Sequence, residues 1–200
     1  IEPYIDHTGP MTANVPDNAL MLEAIAGPDG YDTRQQNVVT QPYSELLEGG
    51  VANLKIAVLK EGFGHENSEV DVDAFVRAAA ARFAKLGATV EEVSIPMHTM
   101  GPAIWTPIAL EGLTQTMMLG DGYGVSRQDL YSTSLMDTHR NWRKKADNLS
   151  ETLKLTMMFG AHADNTAGKR YYGKAVNLSY RLRAEYDAVL ENYDLLLLPT

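Results

Sequence analysis

The stretch from Leu54 to Ile95 constrains the fold of this chain more than any other. Leu54-Lys-Ile-Ala-Val-Leu59 is a compact run with β-branched residues and reads as a strand. It leads into Lys60-Glu-Gly62-Phe-Gly64, a Gly-rich loop. Ser68-Glu-Val-Asp71 then has the form of a capping box. Val72, Phe75, Val76, Ala79, Phe83 and Leu86 follow at spacings of three and four, which predicts a helix with one apolar stripe. Gly87 ends that helix. Ala88-Thr-Val-Glu-Glu-Val-Ser-Ile95 is a second strand, stopped by Pro96. Strand, helix and strand joined by short connections make a βαβ unit, whose two strands run parallel. The chain is therefore of the α/β class, with helices covering a sheet.

The flanking segments add mostly helix. Asn14-Val-Pro16-Asp17 opens a helix that runs to Gly27: Asn14 caps it, Pro16 fits a first turn with no donor to lose, and Asp17 meets the positive end of the dipole. Asp29 to Pro42 is polar and turn-rich. Residues 97 to 160 are rich in methionine, with helix candidates at Leu135 to Ala146 and Ser150 to Phe159. Gly120-Asp-Gly122-Tyr-Gly124 breaks this region. A long helix from about Gly168 to Tyr193 carries Tyr172, Ala175, Val176, Ser179, Leu182, Tyr186, Val189 and Tyr193 on one face. It delivers the chain to a strand at Leu195 to Leu198. No repeat or linker divides the chain, so residues 1–200 are expected to belong to a single domain. Three strands are few for this much helix. The start at Ile1-Glu2-Pro3 without methionine and the close on a leucine strand also suggest a piece of a longer protein.

Composition narrows the chemistry. Lys plus Arg number 17 against 26 for Asp plus Glu, a formal charge of −9, which disfavours a nucleic-acid surface. No apolar run approaches the ~20 residues of a membrane span. The absence of cysteine excludes disulfides, thiolate metal sites and a Cys nucleophile. The five histidines, His7, His65, His98, His139 and His162, show no metal-ligand spacing, and His7 reads as a turn residue bonded to nearby backbone. No serine lies in a Gly-flanked nucleophile turn. Both Gly-rich loops read as turns, although the first follows a strand and precedes a helix. Bulk and negative charge from Glu61, Phe63 and Glu66 suit a phosphate poorly there. The central methionines read as core filling. Trp105, between Pro102 and Pro107, is either a core residue or one wall of a pocket for a small apolar or aromatic molecule. Lys169, Arg170, Lys174, Arg181 and Arg183, balanced by Glu185, Asp187 and Glu191, read as a solvated face with pairs at spacing four.

Asp6-His-Thr-Gly-Pro-Met11 followed by Val15-Pro-Asp-Asn-Ala-Leu-Met-Leu-Glu-Ala-Ile-Ala-Gly27 resembles the amidase signature family. The likeness continues through Ile108-Ala-Leu-Glu-Gly-Leu-Thr-Gln-Thr-Met-Met-Leu-Gly-Asp-Gly-Tyr-Gly124. Further on, Tyr171-Tyr-Gly-Lys-Ala175 and Tyr193-Asp-Leu-Leu-Leu-Leu-Pro-Thr200 resemble the family's approach to its Pro-Thr strand end. The motifs occur in order and span essentially the whole chain. Glu61-Gly-Phe-Gly-His65 and the turn Gly120 to Gly124 look most like the bacterial amidases acting on small aliphatic and aromatic amides.

The resemblance implies an amidase signature fold with a mixed, mainly parallel sheet wrapped by helices and incomplete in this chain. It implies a cytoplasmic enzyme, free of cofactor and metal, that hydrolyses a carboxamide to acid and ammonia. A serine would attack the carbonyl, a second serine in a cis peptide and a lysine would relay the proton, and backbone amides would hold the oxyanion. That Gly/Ser-rich signature is expected upstream of Ile1, so no residue here is assigned as catalytic and the segment alone is expected to be inactive. Trp105, Tyr172 and Thr156 are the substrate-binding candidates. Thr156 falls near where glutamine-using relatives carry an arginine for the substrate carboxylate. Its absence makes glutamine a poor candidate. The implied partners are a small-molecule amide and the remainder of the same polypeptide, with a second copy in a homodimer as a further candidate. Two alternatives stay open: a non-catalytic scaffold or interaction fragment, and a nucleotide-binding α/β protein built on the βαβ unit.

Overall fold

The computed structural model describes residues 4–32, 35, 37–127 and 130–200; the opening Ile1-Glu2-Pro3 lies outside the described residues. In chain order the elements are α1 (Val15–Ile25), β1 (Lys55–Leu59), α2 (Val70–Lys85), β2 (Thr89–Val93), α3 (Gly101–Leu113), α4 (Thr133–His139), α5 (Glu151–Ala167), α6 (Arg170–Leu190) and β3 (Leu195–Leu197). The chain divides into two compact units, Ile1–Gly49 with Trp105–Gly173, and Gly50–Ile104 with Lys174–Thr200.

The second of these holds the sheet. Its strand order is β2-β1-β3, and both pairings are parallel. Lys55 to Leu59 lie opposite Thr89 to Val93, and Ile56 to Val58 lie opposite Leu195 to Leu197. The central strand buries Ile56, Ala57, Val58 and Leu59 in succession, the pattern of a parallel strand covered on both faces. β2 shows no buried residue, as befits an edge. Asp194 ties β3 to the start of β1: its backbone N–H donates to the Lys55 carbonyl, and its carboxylate accepts from the Lys55 N–H at 2.8 Å.

Helix α2 packs against β2, and its start corrects the expected capping box. The helix begins at Val70 after Glu69, with no side-chain cap, and the Ser68 N–H closes a turn onto the His65 carbonyl before it. Asp73 instead accepts from the Gly64 N–H at 2.8 Å, which ties the Gly-rich loop to the first turn. The apolar stripe is also rotated. Val72, Val76, Ala79, Ala80 and Phe83 are buried or half-buried, whereas Phe75 is 72% exposed and Leu86 55% exposed. At ~100° per residue Phe75 falls at the rim of that arc, and Leu86 lies past the helix end. Gly87, at φ 97, makes the stop.

In the other unit, Asn14 caps α1 by accepting from the Asp17 N–H, as the sequence predicts. Helix α3 contains Pro107 and runs into a π-helical turn over Thr114–Met118. The helix expected from Leu135 to Ala146 is broken into α4 and a 3₁₀ stretch over Trp142–Asn148. Asn141 marks the break, its side chain donating to the Asp137 carbonyl. Helix α5 starts on Ser150, which accepts from the Leu153 N–H, and continues past Phe159 to Ala167. Gly160 does not end it. There α5 lies so close to α3 that a Cβ would collide with the Leu110 carbonyl and the Thr114 hydroxyl. Thr114 fastens the crossing by hydrogen-bonding the carbonyls of Leu110 and Met157. Most of α6, from Lys174 on, belongs to the sheet-bearing unit, and every residue of its expected stripe from Tyr172 to Val189 is buried or half-buried, as is Tyr193 just beyond it.

Candidate functional site

The predicted substrate-binding residues all fall in the first unit, on three different helices. Trp105 lies in the second turn of α3 and is 54% exposed, so it is not a core tryptophan. Thr156 is half-buried on α5, with its hydroxyl donating to the Thr152 carbonyl at 2.8 Å. Tyr172 is half-buried in the first turn of α6. Met157 is buried, in keeping with methionine as core filling, whereas Met100 and Met158 are substantially exposed.

An apolar hollow in this unit is lined by Met117, His139, Trp142, Leu149, Leu153 and Met157. Its water-sized space is about 20 Å³, too little for an amide substrate, and it includes none of the three predicted residues. His139 closes one side by hydrogen-bonding the Met117 carbonyl at 2.7 Å. Arg143 donates to the Met118 carbonyl at 3.0 Å, and Arg140 reaches the carboxylate of Asp121. Side chains from α4 and the 3₁₀ stretch thus satisfy carbonyls freed where the α3 helix ends. The Gly120–Gly124 segment folds back on itself as a turn, with the Gly124 N–H on the Gly120 carbonyl.

The other Gly-rich loop is closed as well. A Cβ at Gly62 would sit 2.8 Å from the Leu198 Cβ, so side-chain packing fills the space a phosphate would need. Glu61 turns inward to accept from the Ser94 hydroxyl and the Ile95 N–H. The Ser94 hydrogen bond holds its carboxyl below the ordinary range, against a smaller effect of burial.

The polar group that sequence reasoning missed is Glu111. It is 1% exposed, and neither carboxylate oxygen meets a donor in hydrogen-bond geometry among the described residues. Burial pushes its carboxyl up, opposed by the charge of Lys169 and the backbone N–H of Tyr172 and reinforced by Asp164. One turn further along α3, Gln115 donates to Asp164 at 3.2 Å, and Asp164 pairs with Lys169 at 2.6 Å. A signal was present in the sequence: Glu111 is the single charge in the otherwise apolar stretch from Ile104 to Leu113.

These features do not assemble a reaction centre by themselves. Among the described residues no three His, Cys, Asp or Glu side chains group as a metal site. Ser44 and Ser94 each bond a glutamate, Glu23 and Glu61, rather than a histidine or lysine. His7 bonds the Ile5 carbonyl at 2.9 Å, as a turn histidine would. Of the basic stretch, Lys169, just before α6, pairs with Asp164 near the end of α5.

A small parallel sheet in one unit, closely crossed helices in the other, and a Pro-Thr strand end following β3 define an α/β protein of the amidase signature fold. The amidase family model matches residues 1–200, and the chain belongs to that family. It is 39% identical over 202 residues to the enantioselective amidase of Rhodococcus rhodochrous, covering 100% of this chain and 39% of that protein. It is 36% identical over 200 residues to a glutamyl-tRNA(Gln) amidotransferase subunit of Lysinibacillus sphaericus, covering 98% and 40%. The fold is similar to that of a bacterial aryl acylamidase of the amidase signature family, with TM-score 0.66 and 24% identity over 96% of this chain and 36% of that one. It is also similar to the corresponding amidotransferase subunit of Thermotoga maritima, with TM-score 0.57 and 21% identity over 96% and 38%. The chain therefore spans about two-fifths of the length of these curated relatives.

Proposed function

We propose that residues 1–200 form part of one amidase domain in a serine amidohydrolase that converts a small apolar or aromatic carboxamide to the acid and ammonia. The nucleophilic serine, the second serine, the lysine and the oxyanion-binding amides belong to polypeptide outside these residues. The serine displaces ammonia to give an acyl-enzyme, which water then releases. Trp105, Tyr172 and Thr156 line the acyl side of the pocket. The same reading takes the enzyme as cytoplasmic and cofactor-free, with a homodimer as its candidate assembly. The observation that carries it is the family match across the whole chain together with the 39% identity to an enantioselective amidase.

The 36% identity to an amidotransferase subunit favours a second reading, in which the amide donor is glutamine. Local chemistry speaks against it. Thr156 carries no charge, and the nearest lysine on that helix, Lys154, pairs with Glu151 at 3.0 Å. A buried substrate carboxylate needs a dedicated cation. Ammonia release by the intact protein from benzamide, propionamide and glutamine separates the two. Turnover of the apolar amides with none of glutamine is expected. Turnover of glutamine alone would establish the second reading, and no turnover of any would leave the scaffold alternative.

A further inference from the structure

Helix α2 packs one side on β2 and leaves the opposite side bare. On that outer side Ala74, Phe75, Ala78 and Ala81 are exposed at spacings of three and four. Val70 at the start of the helix is 84% exposed, and Leu86 just past its end is exposed as well. Charges of opposite sign bound the same face: Asp71 in the first turn, Arg82 and Lys85 in the last. Arg77, to one side, is already engaged, lying over the Phe63 ring at 4.1 Å and reaching Glu92 at 4.0 Å. Arg82 and Lys85 form no ion pair among the described residues. The helix dipole favours this order of charges, but it gives no reason to leave a phenylalanine in water between them.

The face is complementary to itself. A second α2 laid antiparallel across the first, with Ala78 on the twofold axis, sets Asp71 against the partner's Lys85. It also sets Phe75 against the partner's Ala81, and Val70 against the partner's Leu86. Each pairing then occurs twice, as an isologous contact requires. Alanines at the crossing let the helix axes approach to about 8 Å and leave room for the Phe75 ring. A parallel copy would instead set like charges together. We infer that the outer face of α2 is the contact between two copies of this chain, paired antiparallel about Ala78. A 16-residue helix is about 24 Å long, so the contact is of modest size, and the dimer exchanges with monomer on dilution to about micromolar. The inference gives the proposed homodimer its surface; it rests on that assembly and not on the amide chemistry.

The test is sedimentation velocity of the intact protein over a dilution series, which needs no turnover. Asp71→Lys and Lys85→Asp should each weaken the dimer about tenfold or more, since each places like charges together at two symmetric points. The double variant should restore wild-type affinity. Rescue within a single chain is ruled out, because residues 71 and 85 stand about 21 Å apart along one helix. Phe75→Ala should weaken the dimer by a similar factor while leaving the Tm of the monomer unchanged. Monomer at every concentration overturns both the inference and the homodimer. A dimer indifferent to all these changes overturns the surface and leaves the homodimer standing. Single variants that weaken the dimer without rescue by the double overturn the antiparallel pairing. A monomer whose Tm falls with Phe75→Ala shows the face covered by polypeptide outside residues 1–200, and also overturns it. Should a charge variant fail to fold, Ala78→Glu takes its place: a weakened dimer supports the twofold contact, and a dimer as tight as wild type overturns it.

Discussion

Two glutamates of this chain meet opposite electrostatic fates. Glu61 accepts from the Ser94 hydroxyl and the Ile95 N–H, which holds its carboxyl below the ordinary 4.5. Its folded form binds the proton less tightly than the unfolded chain does. The stability it contributes is present above the ordinary carboxylate range and is lost as pH falls through the folded value. Glu111 behaves in the reverse sense. Burial raises its carboxyl, so its folded form keeps the proton longer, and the stability tied to that proton fades as pH rises from 4.5 through the folded value. Thermal unfolding of the intact protein between pH 4 and 8 checks both signs. Glu61→Gln should flatten the acid-side loss, and Glu111→Gln should remove a decline on the neutral side. The residue scale is also where the sequence is least legible. A half-exposed Trp105 and a core tryptophan share one local sequence, and Glu111 shows as an acid among apolar neighbours without revealing what it faces.

At the scale of elements, periodicity and caps carry most of the information. Asn14, Ser150 and Gly87 sit at the helix ends where local chemistry puts them, because each acts on backbone groups within a few residues. The βαβ unit is legible for the same reason, and its two strands pair in parallel. Ser68 is not the cap: the helix starts two residues beyond it, after a turn in which its N–H bonds the His65 carbonyl. The rotation of the α2 stripe, the break at Asn141 and the passage of α5 through Gly160 depend on what lies opposite, which no local pattern encodes. The α3–α5 crossing offers the sharpest check. Gly160→Ala should cost about 1–3 kcal/mol by overpacking against Leu110 and Thr114, read as a lowered midpoint in denaturant at unchanged slope. Removing a cap on α3 should be milder. Arg143→Ala leaves the Met118 carbonyl without that donor and should cost about 1 kcal/mol, read as a fall in Tm of a few degrees.

For the whole molecule, family membership is legible in the order of moderately specific motifs from Asp6 to Thr200, and the family match covers the same 200 residues. What the residues do in the proposed reaction is less legible, because a pocket wall is defined by the atoms it faces. The account holds that this chain supplies a wall of an amide site and that the attacking hydroxyl comes from elsewhere in the polypeptide. Trp105→Ala should then raise KM for benzamide by about tenfold or more while leaving kcat for propionamide nearly intact, as steady-state kinetics of the intact protein will show. The most direct measurement is to quench turnover of benzamide with acid and locate the benzoyl group by peptide mass. The account requires an ester on a serine outside residues 1–200. A benzoyl group on a serine within them, Ser44 or Ser94 for instance, contradicts it.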